Sequence, residues 1–274
     1  MENKKLLEDI YGDIKNKGDI NMKDSPYEIM LKSEIIKREK TRTAIPGFYK
    51  FVPSLFNVLL LLPHSRGELC DTNNKELVQI QDLFQFYIYD FPFKIKNIIS
   101  LMEMGSYADA VILFRTLAEN FIVYKYFVIN NDGIGLSNYY SRKTKKSIKD
   151  IFEKVIPGYY DSLYDELGHA THGDPIFQAI FRGNVSKSEP IKSNINNINI
   201  DWFSYVFNQL EPIIIGVIEL YKKVYPNNTL ETSKSVKDDL IAVYNFINNN
   251  INDRKKRFPN QSSIINYYNQ IIKF

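Results

Sequence analysis

Two charged residues on an otherwise apolar helix, and a later segment rich in histidine, are where this chain could do chemistry. Arg115 and Glu119 stand four residues apart in GSYADAVILFRTLAENFIVYKYFVIN, residues 105–130, and so share one helical face. An arginine is a permanent cation suited to phosphate, and a nearby glutamate can orient such a group or move a proton. Downstream, YDELGHATHGDP (residues 164–175) sets Tyr164, Gly168 and His172 at intervals of four, along one face. His172 falls in a last helical turn, where the helix dipole favours its protonated form, and a histidine tunable near neutrality is a natural proton donor or acceptor. His169, one turn earlier, shares that face or looks to solvent. Each feature also has a plainer reading. Arg115–Glu119 can be a structural ion pair, His172 a C-terminal cap, and His169 and His64 ordinary packing or surface histidines.

The elements that must position these residues read as helices throughout. The segment from Ser106 to about residue 129 has no Gly or Pro and is apolar nearly all round, as a buried central helix is. Burying an ionised pair costs several kcal/mol per ion, so Arg115 and Glu119 need partners there. Ahead of it, Lys75 to Met104 is a long helical pattern interrupted at Pro92, where a kink is expected. Gly105-Ser106 then closes a helical hairpin. Asn131-Asp132-Gly133 ends the central helix, with Gly133 expected in the left-handed cap position.

A basic helix over 136–156 should follow, carrying Arg142, Lys143, Lys145, Lys146 and Lys149, either a solvated face or a contact for RNA or phosphate. Residues 182–200 lack any period and read as a loop. Helices are expected over 201–225, 231–252 and 261–272, the last two separated by DRKKRFPN. At the other end, residues 2–17 and 24–41 show helical spacing, Pro46-Gly47 closes that arm, and 48–62 is a short apolar helix or connector. No strand alternation persists. The expected fold is all-α: a helical bundle with a buried central helix and peripheral N- and C-terminal helices. Residues 1–62 form an N-terminal arm, and 63–274 the bundle.

Composition narrows the function classes. The net charge of +3 does not by itself imply nucleic acid, and one cysteine, Cys70, fits a reducing cytosol without a disulfide framework. The first residues lack a signal-type apolar region, and no run has the roughly 20 apolar residues of a membrane helix, so a cytoplasmic protein is expected. There is no phosphate-binding glycine loop, zinc-type Cys/His spacing or nucleophile elbow; neither a metal nor a cofactor is expected.

The text LMEMGSYADAVILFRTLAENFIVYKYF, followed by YDELGHATHGDP, resembles a family of bacterial helical proteins with an Arg-x-[Ser/Thr]-Leu-x-Glu helix and a later helix ending in His. That family is distantly similar to the HEPN superfamily of helical bundles, many of them RNA-cleaving toxins of phage defence or toxin–antitoxin pairs. The likeness covers about residues 76–180. The HEPN nuclease motif sets an Arg four to six residues before a His on one helix. Here His172, less directly His169, matches that His, and Arg115 would supply the cation from another helix. The resemblance implies metal-independent RNA cleavage with His172 as acid/base, Arg115 on the phosphate and Glu119 orienting. It also implies a homodimer and an antitoxin or other defence-system partner. The alternative is a non-catalytic scaffold that contacts a protein or nucleic acid through its basic segment.

Overall fold

Proline, asparagine and glycine punctuate the chain into helices much as their backbone chemistry dictates. The computed structural model describes residues 26–67, 74–161, 200–232, 234–257 and 269–271, and among them no strand occurs. The expected helix at 2–17, residues 261–268 of the helix expected over 261–272, residues 182–199 of the loop expected over 182–200, and Tyr164, Gly168, His169, His172 and Cys70 lie outside the described residues.

Pro26 opens α1 (Pro26–Ala44), and Pro46 opens α2 (Pro46–Leu61). Proline suits a first helical turn because no intrahelical acceptor awaits its missing N–H. Pro46-Gly47 therefore starts a helix instead of closing the arm, and the chain bends by 98° between α1 and α2. A 3-10 turn spans Leu62–His64. In α3 (Lys75–Glu103) the Asn74 side chain accepts from the Leu77 N–H at 3.1 Å, a side-chain N-cap. The helix passes through Pro92 as one element.

Its end is fixed by Gly105 at φ 76°, with Gly105 N–H on the Met102 carbonyl and Ser106 N–H on Leu101. Those two bonds are the Schellman pattern, and they satisfy carbonyls the helix leaves open. The same pattern ends α4 (Tyr107–Ile129), but there the left-handed residue is Asn131 at φ 46° and not the expected Gly133. Gly133 has a different task. It begins α5 (Gly133–Tyr140) so close to α3 that an added Cβ would sit 2.2 Å from the Glu76 carbonyl oxygen.

The basic helix expected over 136–156 is two helices. α5 stops in a third Schellman turn with Arg142 at φ 56°, and α6 (Ile148–Val155) begins only at a capping box in which Ser147 and Asp150 bond reciprocally. Residues 141–147 between them are a non-helical link. Nothing in Ser-Arg-Lys-Thr-Lys-Lys advertises that break, because only Gly and Asn commonly mark a left-handed residue.

α7 (Ile200–Val224) and α8 (Lys234–Arg257) complete the bundle, α8 running through the charged stretch expected to end it. α4 packs against α3, α5, α6 and α7, and so holds the centre. Residues 121–128 of α4 and 210–218 of α7 are buried without a gap. The core is continuous from Phe48 to Ile271. It therefore includes α2, which the sequence groups with the arm, and α8 lies against α2. No single helix among the described residues is long and apolar enough to cross a membrane.

Candidate functional site

The first half of α4 is wetter than its composition suggests. Asp109 and Thr116 are exposed, and Ile112, Leu113, Arg115, Glu119 and Asn120 are half-buried, so a solvent-facing stripe interrupts the apolar surround. Arg115 Nε donates to Glu119 Oε1 at 2.9 Å, with 19% and 30% of the two side chains exposed. The pair is closed, but it is not sealed in the core. Arg115→Ala should therefore cost about 1 kcal/mol in chemical denaturation, toward the value of surface pairs; a loss of 3 kcal/mol or more would mean a desolvated pair.

Against this stripe lies the end of α5. The Tyr140 hydroxyl donates to Asn120 Oδ1 at 3.3 Å, and its ring packs 5.6 Å from that of Tyr124. Burial, together with Tyr124, pushes the Tyr140 phenol far above its usual range, and burial with Glu119 raises that of Tyr139. Both phenols therefore stay protonated at neutral pH, and the Tyr140 proton is the one given to Asn120. The left-handed turn at Arg142 folds the link back beside them. A cavity of about 430 Å³ results, lined by Tyr139, Tyr140, Arg142, Thr144 and Lys146. Lys146 Nζ lies 5.0 Å from the Tyr126 ring and 5.2 Å from that of Phe127, within cation–π range, and 3.8 Å from Asp132. Lys143 and Lys145 are exposed on the same link.

Comparison with family models, curated proteins and solved structures finds no match. The corner between α4, α5 and α6 must be read from its own chemistry. It gathers two cations, a threonine hydroxyl and the Tyr139 phenol around the cavity, donors suited to an anion, beside a Tyr140 hydroxyl that already donates to Asn120. Arg142 and Lys146 line the cavity and Arg115 and Glu119 do not; the links to that stripe are the Tyr140 hydroxyl on Asn120 and the effect of Glu119 on the Tyr139 phenol. The third catalytic candidate, His172, and the binding candidates His169 and Tyr164 lie outside the described residues. His64, within them, lies on the 3-10 turn with its ring 6.2 Å from that of Tyr89. Among the described residues no three His, Cys, Asp or Glu side chains gather as metal ligands would.

Sequence reasoning missed two deeper polar centres. Glu103, at the end of α3, is buried; it accepts from the Tyr49 hydroxyl at 2.8 Å and from Arg42 Nε at 3.3 Å, with Arg38 3.8 Å away. Burial and that glutamate hold the Tyr49 phenol well above its ordinary value. The second centre is Glu211 on α7, with no exposed side-chain surface, gripped by Arg254 and by Asn250 Nδ2 at 2.8 Å. Burial pushes its carboxyl up to about 7, while Arg254 and Asn250 pull it back.

A buried lysine completes the list. Lys125 Nζ donates to the Gln270 and Ile271 carbonyls at 2.7 and 2.6 Å, tying the C-terminal segment to α4. Burial and Lys223 lower its ammonium to about 8, and those two carbonyls work against that shift by favouring the charged form. It reads as an anchor.

Proposed function

We propose that this protein is a helical RNA-binding effector of HEPN-like type, whose α5–α6 corner grips the phosphate backbone of single-stranded RNA. The carrying observation is that cavity: Arg142, Lys146 and Thr144 beside the Tyr139 and Tyr140 rings, with Tyr140 bonded to Asn120 on the wet stripe of α4. Cations interleaved with aromatic side chains suit a phosphate chain and its unstacked bases. In the catalytic form of this reading Arg115 stabilises the phosphorane, His172 is the acid/base for attack by the RNA's own 2′-hydroxyl, and Glu119 orients one of those two side chains, without a metal. The site of action is the cytoplasm, the working unit a homodimer, and its partner an antitoxin or another defence-system protein.

One observation favours a non-catalytic variant. Arg115 and Glu119 already engage each other at 2.9 Å, as a structural pair would. The two variants separate in one experiment. Full-length protein is titrated with a labelled single-stranded RNA across a salt series, and RNA integrity and growth are followed after induced expression. Arg142→Glu with Lys146→Glu should weaken binding at least tenfold and lower the salt slope by about 1 per lost contact. Unchanged binding in that variant sinks the RNA reading. If wild type degrades RNA and His172→Ala does not, the catalytic form stands. If RNA binds but is never cut, the binding form stands.

A further inference from the structure

Where α2 begins and α8 ends, a second cavity of about 410 Å³ opens between α2, α7 and α8. Its size falls in the range of small-molecule sites. One wall is aromatic: Phe48 meets Phe207 edge to face with centroids 4.7 Å apart, and Phe207 meets Phe246 at 6.2 Å. The other wall is polar and is held from beneath by Glu211. Glu211 Oε1 accepts from Asn250 Nδ2 at 2.8 Å, and Arg254 bridges Glu211 to Asn208 Oδ1.

Two of these bonds each use one end of an amide. The ends they do not use are the Asn250 carbonyl, an acceptor, and the Asn208 amino group, a donor, and both residues line the cavity. Such preorganisation is what a recognition site needs, because the buried carboxylate fixes which way each amide points. At the rim stand Arg257 and Asp253, both exposed.

This combination is specific in its demand. Phenyl walls suit a flat ring, a donor beside an acceptor suits the edge of a nucleobase, an exposed arginine suits phosphate, and a carboxylate suits ribose hydroxyls. We infer that the cavity between α2, α7 and α8 binds a mononucleotide, its base against the partly exposed Phe246 of the aromatic wall, its edge on Asn208 and Asn250, and its phosphate at Arg257. The site is distinct from the α5–α6 corner and does not depend on it. A free mononucleotide and an unstacked nucleotide within RNA present the same chemistry; the proposal is for the free one.

The test is calorimetric titration of the full chain with AMP, GMP, CMP and UMP, and with the corresponding nucleosides. At least one mononucleotide should bind at one site per chain. Arg257→Ala should weaken it about tenfold and leave nucleoside affinity unchanged, because the exposed arginine meets only the phosphate. Ser204→Trp plugs the mouth from an exposed position, without touching the Glu211 network, and should abolish binding. No heat from any mononucleotide overturns the proposal, and so does equal affinity in Ser204→Trp. If only single-stranded RNA binds, and Ser204→Trp removes that binding, the free-nucleotide assignment is likewise overturned. The Arg142→Glu, Lys146→Glu variant should keep full mononucleotide affinity, so failure at one site is visible apart from failure at the other.

Discussion

Arg254→Met is expected to destabilise the protein by about 3 kcal/mol near pH 8, and by clearly less near pH 5. The reason is the position of Glu211. Its side chain has no exposed surface, and its charge is answered by Arg254 and Asn250 alone among the described residues. Removing one partner of a buried pair leaves an uncompensated charge, which costs more than the pair itself contributes.

The pH dependence follows from the direction of the carboxyl's shift. In the folded protein it lies at about 7, above the ordinary 4.5, with burial the main cause. The fold therefore holds a proton on Glu211 more tightly than the unfolded chain does. That contribution to stability is fully present below about pH 4.5 and is lost as pH rises through about 7. Without Arg254 the carboxyl rises further. The variant escapes its penalty at low pH by keeping the proton and meets it in full once the proton leaves. Urea denaturation at both pH values reads this directly. Glu211→Gln in the Arg254→Met background should recover much of the loss and flatten the pH dependence, since an amide needs no counter-charge. A penalty equal at both pH values, with no recovery in the double variant, would show that the two residues are not coupled.

How far the sequence discloses this centre is instructive. The criterion that singles out Arg115 and Glu119, a charge within an apolar helix, applies equally to Glu211, which sits directly before Pro212 in a run buried from 210 to 218. Pro212 has no N–H for the carbonyl of residue 208, and that turn is where the polar network forms. The partners Asn250 and Arg254 are 39 and 43 residues away. No periodicity links one helix to the next, so the pairing is a tertiary fact.

Helix bounds were legible where a local signal is strong: the start at Lys75 and the turn at Gly105. The break at 141–147 was not, because Arg142 takes a left-handed conformation that its residue type does not signal. The central helix was legible as central, but its wet stripe was not. Ile112 and Leu113 count as apolar in any pattern, although both are only partly buried beside Arg115.

Gly216→Val should cost about 3 kcal/mol, although it removes no polar contact. α4 and α7 are each buried all round where they meet, so neither can turn a bulky residue outward. They approach through Gly216. A Cβ there would lie 2.5 Å from Phe121 Cζ, 3.0 Å from its Cε2 and 3.2 Å from Ile271 Cγ2. The first contact is the far end of a side chain, which elsewhere could swing aside. Here Phe121 is fully buried, and α4 is pinned on its other flanks by α3, α5 and α6. Glycine costs a helix interior about 1 kcal/mol relative to alanine, so a glycine at this depth is kept for the space it leaves. Valine brings two further methyl groups into that space. The ring must leave its rotamer or the helices must part, and parting them also loosens the segment that Lys125 holds at Gln270 and Ile271. The cause can be separated from helix propensity by shortening the ring. Phe121→Leu alone should destabilise by leaving a cavity, yet in the Gly216→Val background it should restore part of the loss, because one change vacates what the other fills. Denaturation midpoints of the wild type, the two single variants and the double close that cycle. Simple addition of the two penalties would rule out the close contact as the reason glycine stands there.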